Sequence, residues 1–377
     1  MSRKEWLTFL LYLAAVFAMP LLGVGATGRR IEPFLALPPR TQFIQPAPFS
    51  WQAFCLVAFT VVMSVAPFLR KIATTPRVPR CATPSRQPFP ASGWVGLALL
   101  IVTWIVAWNR FPWATSFQRL TFTPLWVGYI GVVNALTVVR AGSCPLTSET
   151  RLLIALFPLS AIFWWSFEYL NRFVGNWYYP DVQTLSASQY ILEATLPFST
   201  VLPAVYSTAA WLATYPGLAR GLDRFIPGRV AVSPALGFVT LILAALLLAS
   251  TAIWPAFLFP LIWVAPLLLM AGLQQVLLGN STLRRALVSG DFRRVWTFAL
   301  AGLTCGLLWE LWNFRSLAHW EYQIPYVGRF HLFAMPLLGY SGYLPFGILC
   351  ALFIDCLRSA FDRNEKTLSV GRGKRLL

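Results

Sequence analysis

Long apolar runs separated by short polar segments recur along the whole chain. A run of about 20 apolar residues is long enough to cross a bilayer as an α-helix. Because backbone amide and carbonyl groups find no water in lipid, each crossing segment should be helical. We identify ten such runs, approximately at 5–24, 51–69, 92–108, 122–139, 152–170, 188–212, 233–250, 253–277, 295–312 and 331–357. The pattern therefore predicts an all-α, polytopic membrane helix bundle of about ten transmembrane helices.

The composition agrees with a membrane protein. Of the 377 residues, 57% are hydrophobic and only 11% are charged, whereas a soluble domain carries roughly a quarter charged residues. The net charge of +17 comes mainly from arginines and lysines in alternate connecting segments. If the N-terminus is cytoplasmic, these are the inner segments, as the positive-inside rule requires. We therefore expect both termini in the cytoplasm and a bacterial inner (cytoplasmic) membrane as the location. Anionic lipid headgroups are the expected partners of the basic segments, and nucleic acid is not an expected partner.

The chain also contains a repeat. Arg151–Asn171 and Arg293–Asn313 align without a gap at an offset of 142 (293 − 151). The division that we predict is two leading helices with a basic, proline-rich cytoplasmic linker (1–91), a first four-helix unit (92–216), a second four-helix unit (233–357) and a basic cytoplasmic tail (358–377). Because four helices return the chain to the same side, the two units should form a parallel repeat about an axis near the membrane normal.

Each copy of the repeated phrase ends in a carboxyl and an amide. Glu168 and Asn171, like Glu310 and Asn313, lie three residues apart and therefore share a helix face. A carboxyl group on a membrane helix is costly and usually faces protein or a water-filled cavity. A third acid, Glu193, lies in the sixth predicted helix and has no counterpart in the second unit. We predict that these three acids are the catalytic candidates.

Two interpretations of the duplicated acids stay open. In the first, Glu168 and Glu310 exchange protons with a substrate, and the asparagines orient them. In the second, the acids and the asparagines pair with the neighbouring Arg172 and Arg315 and only close the helix ends at the headgroup level.

Aromatic residues crowd the same level of the bundle. They are Trp164, Trp165, Trp177, Tyr178, Tyr179, Trp309, Trp312, Trp320 and Tyr322. Tryptophan and tyrosine are common at membrane interfaces, but here they fall in two short stretches. Such a cluster can also line a pocket whose π faces bind a polyene, a quinone or a developing carbocation. The substrate-binding residues that we predict are Asn171, Asn313, Trp165, Trp177, Tyr179, Trp309, Trp320 and Tyr322.

The sequence contains no metal or cofactor motif. The only two histidines, His319 and His331, match no standard ligand spacing. The six cysteines form no Cys-x-x-Cys pair, and no glycine-rich phosphate loop is present. We therefore predict neither a metal nor a cofactor.

The segment from Phe167 to Pro180, FEYLNRFVGNWYYP, resembles the repeated phrase of the small integral-membrane lycopene cyclases. In that family an acid-bearing helix end is followed by Gly-x-Trp-x-Tyr-x-Pro and then by Pro-x-Glu-Glu at the start of the next helix. The approximate matches are Glu168, Gly175, Trp177, Tyr179 and Pro180 in the first unit, with Glu193 near the second acid pair, and Glu310, Trp320, Tyr322 and Pro325 in the second unit. Neither unit contains Pro-x-Glu-Glu, and the resemblance covers two patches only.

The resemblance and the residues together suggest a function in carotenoid or isoprenoid chemistry. A buried carboxyl would protonate a terminal alkene, aromatic faces would stabilise the cation, and a second group would remove a proton. The alternative is a non-enzymatic membrane protein, either a transporter of a lipid-like cargo or a scaffold subunit of a membrane complex. The sequence leaves open whether the protein is an enzyme.

Overall fold

The computed structural model describes residues 2–77, 87–226 and 233–373, and these are folded almost entirely into helices. The helices are α1 (Arg3–Ala26), α2 (Glu32–Leu35), α3 (Trp51–Thr74), α4 (Ala91–Trp108), α5 (Phe122–Ala141), α6 (Pro145–Ser148), α7 (Thr150–Val174), α8 (Ala187–Phe198), α9 (Val201–Ala213), α10 (Pro234–Ile253), α11 (Pro255–Leu258), α12 (Leu261–Leu273), α13 (Thr282–Ser289), α14 (Arg293–Asn313) and α15 (Tyr343–Gly373). Four two-residue strands form two small antiparallel ladders: β1 (Trp177–Tyr178) with β2 (Glu321–Tyr322), and β3 (His331–Leu332) with β4 (Met335–Pro336).

Nine helices among the described residues are long and apolar enough to cross a membrane. They are α1, α3, α4, α5, α7, α10, α12 with the π turn that continues it, α14 and α15. The predicted all-α class is therefore confirmed, and the described residues contain nine helices that could span a membrane rather than the ten predicted. The middle of the predicted inner linker (78–86), residues 227–232 and the end of the predicted tail (374–377) lie outside the described residues.

The sixth predicted span, 188–212, is two helices rather than one. α8 ends at Phe198 and α9 begins at Val201, because prolines near the junction cannot donate the backbone bonds of a continuous helix. The neighbouring helix α7 compensates: the Ser160 hydroxyl donates to the Phe198 carbonyl (2.6 Å) and accepts from the Leu202 amide (3.0 Å). Neither half alone is long enough to be a span, which explains nine candidates instead of ten.

The tenth predicted span, 331–357, also begins later than expected. Residues 331–336 form the β3–β4 hairpin, and a 3₁₀ turn, Leu337–Gly342, leads into α15. The core lies where α7, α9, α14 and α15 meet and is rich in aromatic rings such as Phe163, Trp309 and Phe346.

Glycines allow α14 and α15 to approach closely. A Cβ atom at Gly347 of α15 would collide with the carbonyl oxygen of Phe298, and one at Gly302 of α14 would collide with the carbonyl oxygen of Tyr343. Small residues at a helix crossing are a common means of packing in membrane proteins. Tyr343 hydrogen-bonds Glu310, so this contact also supports the environment of Glu310.

We expect Gly347→Ala to destabilise the protein by about 1–3 kcal/mol, because the added methyl group must displace backbone rather than a flexible side chain. Thermal unfolding of the purified protein in detergent measures the effect. Gly217→Ala is the matched control, since a Cβ atom there meets nothing within 4 Å. Equal melting temperatures for the two variants would contradict the close crossing.

Candidate functional site

The two copies of the repeated phrase meet at one end of the bundle. Strand β1 follows α7 and strand β2 follows α14, and the two strands pair with Trp177 opposite Tyr322 and Tyr178 opposite Glu321. The amide of Gln323 also donates to the carbonyl of Asn176 (3.0 Å). The predicted half-sites are therefore joined directly through their backbones.

The two asparagines hold the loops that return toward the acids. Asn171 accepts from the amides of Asn176 (2.8 Å) and Trp177 (3.3 Å) and donates to the carbonyl of Trp177 (2.7 Å). Asn313 accepts from the amide of Trp320 and donates to its carbonyl, both at 2.8 Å. These hydrogen bonds go to the tryptophan backbone rather than to the acids. Each asparagine therefore positions a tryptophan, which is a different role from the predicted orientation of a carboxyl.

Glu168 is almost completely buried and is surrounded by aromatic donors. Its Oε1 atom accepts from Trp164 Nε1 (3.0 Å), Trp177 Nε1 (3.1 Å) and the Tyr179 hydroxyl (2.8 Å). One donor comes from its own helix, and two come from the loop that Asn171 holds. Burial raises the pKa of Tyr179 well above the ordinary tyrosine value, so its hydroxyl stays neutral and can donate.

Glu310 has a related environment in the second copy. It is fully buried, and its Oε1 atom accepts from the hydroxyls of Tyr322 (2.6 Å) and Tyr343 (2.8 Å). Trp320 Nε1 donates to the Tyr322 hydroxyl (2.8 Å), so it reaches the acid indirectly. Burial raises the pKa of Tyr322 well above the ordinary tyrosine value. Both acids therefore anchor a Trp-x-Tyr loop.

The anchored aromatic rings line a cavity between the two copies. Its walls include Phe122, Trp164, Trp177, Tyr179, Tyr190, Phe198, Trp263, Trp309, Trp320, Tyr322, Met335 and Tyr343. The volume of the cavity is about 130 Å³. The cavity is thus a narrow slot. The carboxyl groups of Glu168 and Glu310 lie behind this lining and connect to the slot through the tyrosine hydroxyls.

Two predicted residues lie elsewhere than expected. Trp165 packs against α8, where its Nε1 donates to Thr195 Oγ1 (3.0 Å), and it is not part of the slot lining. Glu193 lines the slot but forms an ion pair with Arg119 (Nε–Oε2 3.1 Å). The third predicted acid is therefore a paired charge at the edge of the slot.

The arginines next to the acids do not pair with them. Arg172 donates to the carbonyls of Phe34 (2.7 Å) and Ala36 (2.5 Å), and the Arg315 guanidinium lies over the ring of Trp108. Among the described residues no group of three His, Cys, Asp or Glu side chains could hold a metal ion. His319 lies beside Glu321 (Nε2–Oε1 3.5 Å), outside the slot.

Sequence reasoning did not identify Trp263, Tyr343 or Arg119 as site residues. Trp263 stacks on Trp177 with 5.8 Å between ring centroids, and Tyr343 reaches Glu310 from α15. Each lies far along the chain from the site residue that it contacts. The only local signals are Pro260, three residues before Trp263, and Gly342, directly before Tyr343, and such signals are too common to select these residues.

The Tyr322 hydroxyl joins Glu310 to Trp320, so we expect Tyr322→Phe to lower stability by about 1–3 kcal/mol through the loss of partners for two buried polar groups. Thermal unfolding in detergent tests this. Tyr326→Phe, a change on the same loop where no hydroxyl hydrogen bond is formed within the described residues, should leave the melting temperature unchanged. An equal decrease in melting temperature in both variants would show that the loop is sensitive to any substitution and that the Tyr322 hydroxyl has no specific role.

Comparison of the chain with protein-family models, with curated proteins and with solved structures gives no match. The chemistry of the site must therefore be argued from its own residues. Those are two buried carboxyls, the tyrosines and tryptophans bound to them, and an aromatic slot that both copies of the repeat build.

Proposed function

We propose that this membrane protein binds a slender hydrophobic substrate of the isoprenoid or polyene class and transforms it by carboxyl acid–base chemistry. One observation carries the proposal: two buried acids from the two copies of the repeat each hold, by hydrogen bonds, aromatic rings that line one shared slot. Ligand pockets are typically concave and apolar with a few placed polar groups. Here the placed polar groups are tyrosine hydroxyls.

The proposal includes the orientation of the two units. In a parallel repeat, α7 and α14 run in the same direction across the membrane. The arrival of both helices at the same slot and the pairing of the strands that follow them support this arrangement. With the basic segments inside, the slot lies toward the outer face of a bacterial inner membrane, and both termini are cytoplasmic.

The proposed chemistry passes through the tyrosines, because the carboxyls lie behind the slot lining. A protonated Glu168 transfers its proton to the Tyr179 oxygen while the Tyr179 hydroxyl gives its own proton to a substrate alkene carbon. The cation that forms lies among tryptophan and tyrosine faces, which stabilise positive charge. A neighbouring carbon then loses a proton through Tyr322 to Glu310, so the substrate is isomerised or cyclised without any co-reactant. Exchange of protons with the surroundings restores both acids.

A second candidate function, carriage of a lipid-like cargo, is favoured by another cavity at the opposite ends of α7 and α14. It measures about 1300 Å³ and is lined by Glu149 and Tyr206 from the first unit, by Arg294 from the second unit and by Arg358, which directly follows that unit. At 1.5 Å per residue, Glu149 and Glu168 are about 28 Å apart along one helix, close to the thickness of the hydrocarbon core. A scaffold role has less support, since it predicts acids paired with arginines and no cavity between the units.

The acids are tested by Glu168→Gln and Glu310→Gln, singly and together, in a host that produces linear polyenes. Glutamine keeps the acceptor oxygen for the tyrosines but cannot supply a proton, so we expect conversion to fall by about 10²–10⁴-fold with normal folding yield. Extracted pigments are measured by chromatography. Glu321→Gln is the control, an exposed acid of the same loop outside the slot. Unchanged pigments in the folded double variant would refute the enzymatic proposal and leave carriage as the better explanation.

The relay through tyrosine makes a separate prediction. Tyr179→Phe removes the hydroxyl between Glu168 and the slot while both tryptophan donors to Glu168 remain. We expect a loss of conversion comparable with that of Glu168→Gln, although the acid itself is intact. Full conversion by this variant would mean that Glu168 reaches the substrate without Tyr179.

A further inference from the structure

The slot has a single charged pair among its lining residues in the described part of the chain. Arg119 lies on the 3₁₀ turn Gln118–Leu120 between α4 and α5, and Glu193 lies on α8. Their side chains are 25% and 24% exposed and meet at 3.1 Å. Every other lining residue is apolar or aromatic. The pair is therefore a polar point at the edge of an otherwise apolar slot.

In the proposed membrane orientation, this edge of the slot faces lipid rather than water. The residues on both sides of the ion pair are large, apolar and exposed: Phe117 and Leu120 beside Arg119, and Ile191, Leu192 and Leu196 around Glu193. Exposed apolar side chains on the helices of a membrane protein contact the bilayer. A hydrophobic molecule in the outer part of the membrane can therefore reach the slot sideways, between α8 and the turn before α5.

The water-facing end of the site is covered by the extended segment between α2 and α3. Arg40 donates to the carbonyls of Val182 (3.2 Å) and Leu185 (2.9 Å). Further along, the amide of Ile44 donates to Gln323 Oε1 (2.6 Å), next to the β1–β2 ladder. The segment thus crosses over both copies of the repeat, and the lipid-facing edge is the open side.

An ion pair on such an edge is costly, because both charges lose water and gain only each other. If the ion pair only held α8 against the turn, an apolar contact at this position would serve as well. A neutral group that both donates and accepts hydrogen bonds can bind to the pair without changing its net charge. A hydroxyl, for example, accepts a hydrogen bond from Arg119 and donates one to Glu193. A carboxylate would be repelled by Glu193, and an ammonium by Arg119.

We propose that the Arg119–Glu193 pair recognises a terminal hydroxyl, so that the substrate is a polyene or isoprenoid alcohol that moves in from the lipid with its apolar chain in the slot. This inference rests on the proposed function, since it names the substrate class of the same slot. It assigns Arg119 and Glu193 as specificity-determining residues, and it gives Glu193 a role other than proton donation.

Quenching of tryptophan fluorescence measures binding, since Trp164, Trp177, Trp263, Trp309 and Trp320 line the slot. The probes are all-trans-retinol, its hydrocarbon analogue with a methyl terminus, retinoic acid and retinylamine, added to the purified protein in nanodiscs. We expect retinol to bind about tenfold more tightly than the hydrocarbon, the value of one net hydrogen bond, and more tightly than the acid or the amine.

Single variants should change this order of affinities in opposite directions. Glu193→Gln leaves Arg119 unpaired and should make retinoic acid the best ligand, whereas Arg119→Gln should make retinylamine the best. The double variant Arg119→Met with Glu193→Leu should bind the hydrocarbon normally and lose the preference for retinol. If the ion pair only held the two elements together, the variants would not reverse the order of ligand affinities in this way. Arg110→Gln is the control. Arg110 lies in the same segment between α4 and α5, donates to the carbonyls of Ala107 and Arg315 and does not line the slot.

Two outcomes would overturn the inference, and they can be distinguished. If retinol and the hydrocarbon bind equally and the variants do not change the order of affinities, the ion pair does not recognise the terminal group of the ligand. The proposed function of the slot would then still stand. If none of the four probes quenches the wild-type protein, the slot does not take polyenes, and the proposed function fails together with the inference. A melting curve for each variant shows that the binding results come from folded protein.

Discussion

The site depends on the need to satisfy a carboxyl group inside an apolar bundle. Glu168 and Glu310 are buried, and a buried polar group without partners is expensive. In both places the partners are the N–H and O–H groups of aromatic side chains. The rings that bind the acids through these groups also line the space between the two copies. The same hydrogen bonds that make the acids tolerable therefore build the wall of the slot.

The rest of the local structure supports those bonds. Asn171 and Asn313 fix the backbones of Trp177 and Trp320, and the β1–β2 ladder ties one loop to the other. The two copies nevertheless differ. Glu168 accepts a hydrogen bond from Trp164 of its own helix, whereas Glu310 accepts one from Tyr343 of α15. The hydrogen-bonding environments of the two acids are therefore asymmetric.

The break between α8 and α9 sets the course of α8, the helix that carries Glu193. Because the chain bends at Ser199 and Thr200, α8 leans against the turn before α5 and brings Glu193 to Arg119. Ser160 of α7 supplies the hydrogen bonds that the break leaves unsatisfied. A continuous helix would not bend at this point. The interruption of the sixth predicted span therefore also accounts for the position of the ion pair.

The class of fold and the groups next to Glu168 can be read from the order of residues along the chain. Apolar runs long enough to cross lipid specify helices, since no other open structure satisfies the backbone there. The spacing of Glu168 with Asn171, and the short distance along the chain to Trp177 and Tyr179, bring those groups together through local geometry alone. Four features of the site depend instead on how distant helices pack. These are the set of aromatic rings that form the slot, the absence of Trp165 from its lining, the presence of Trp263 and Tyr343 in it, and the pairing of Glu193 with Arg119. They are not predictable locally, because a helix that is apolar on all sides carries no periodic signal of which face meets protein and which meets lipid. Contacts between residues 74 positions apart, such as Arg119 and Glu193, depend on how those faces pack.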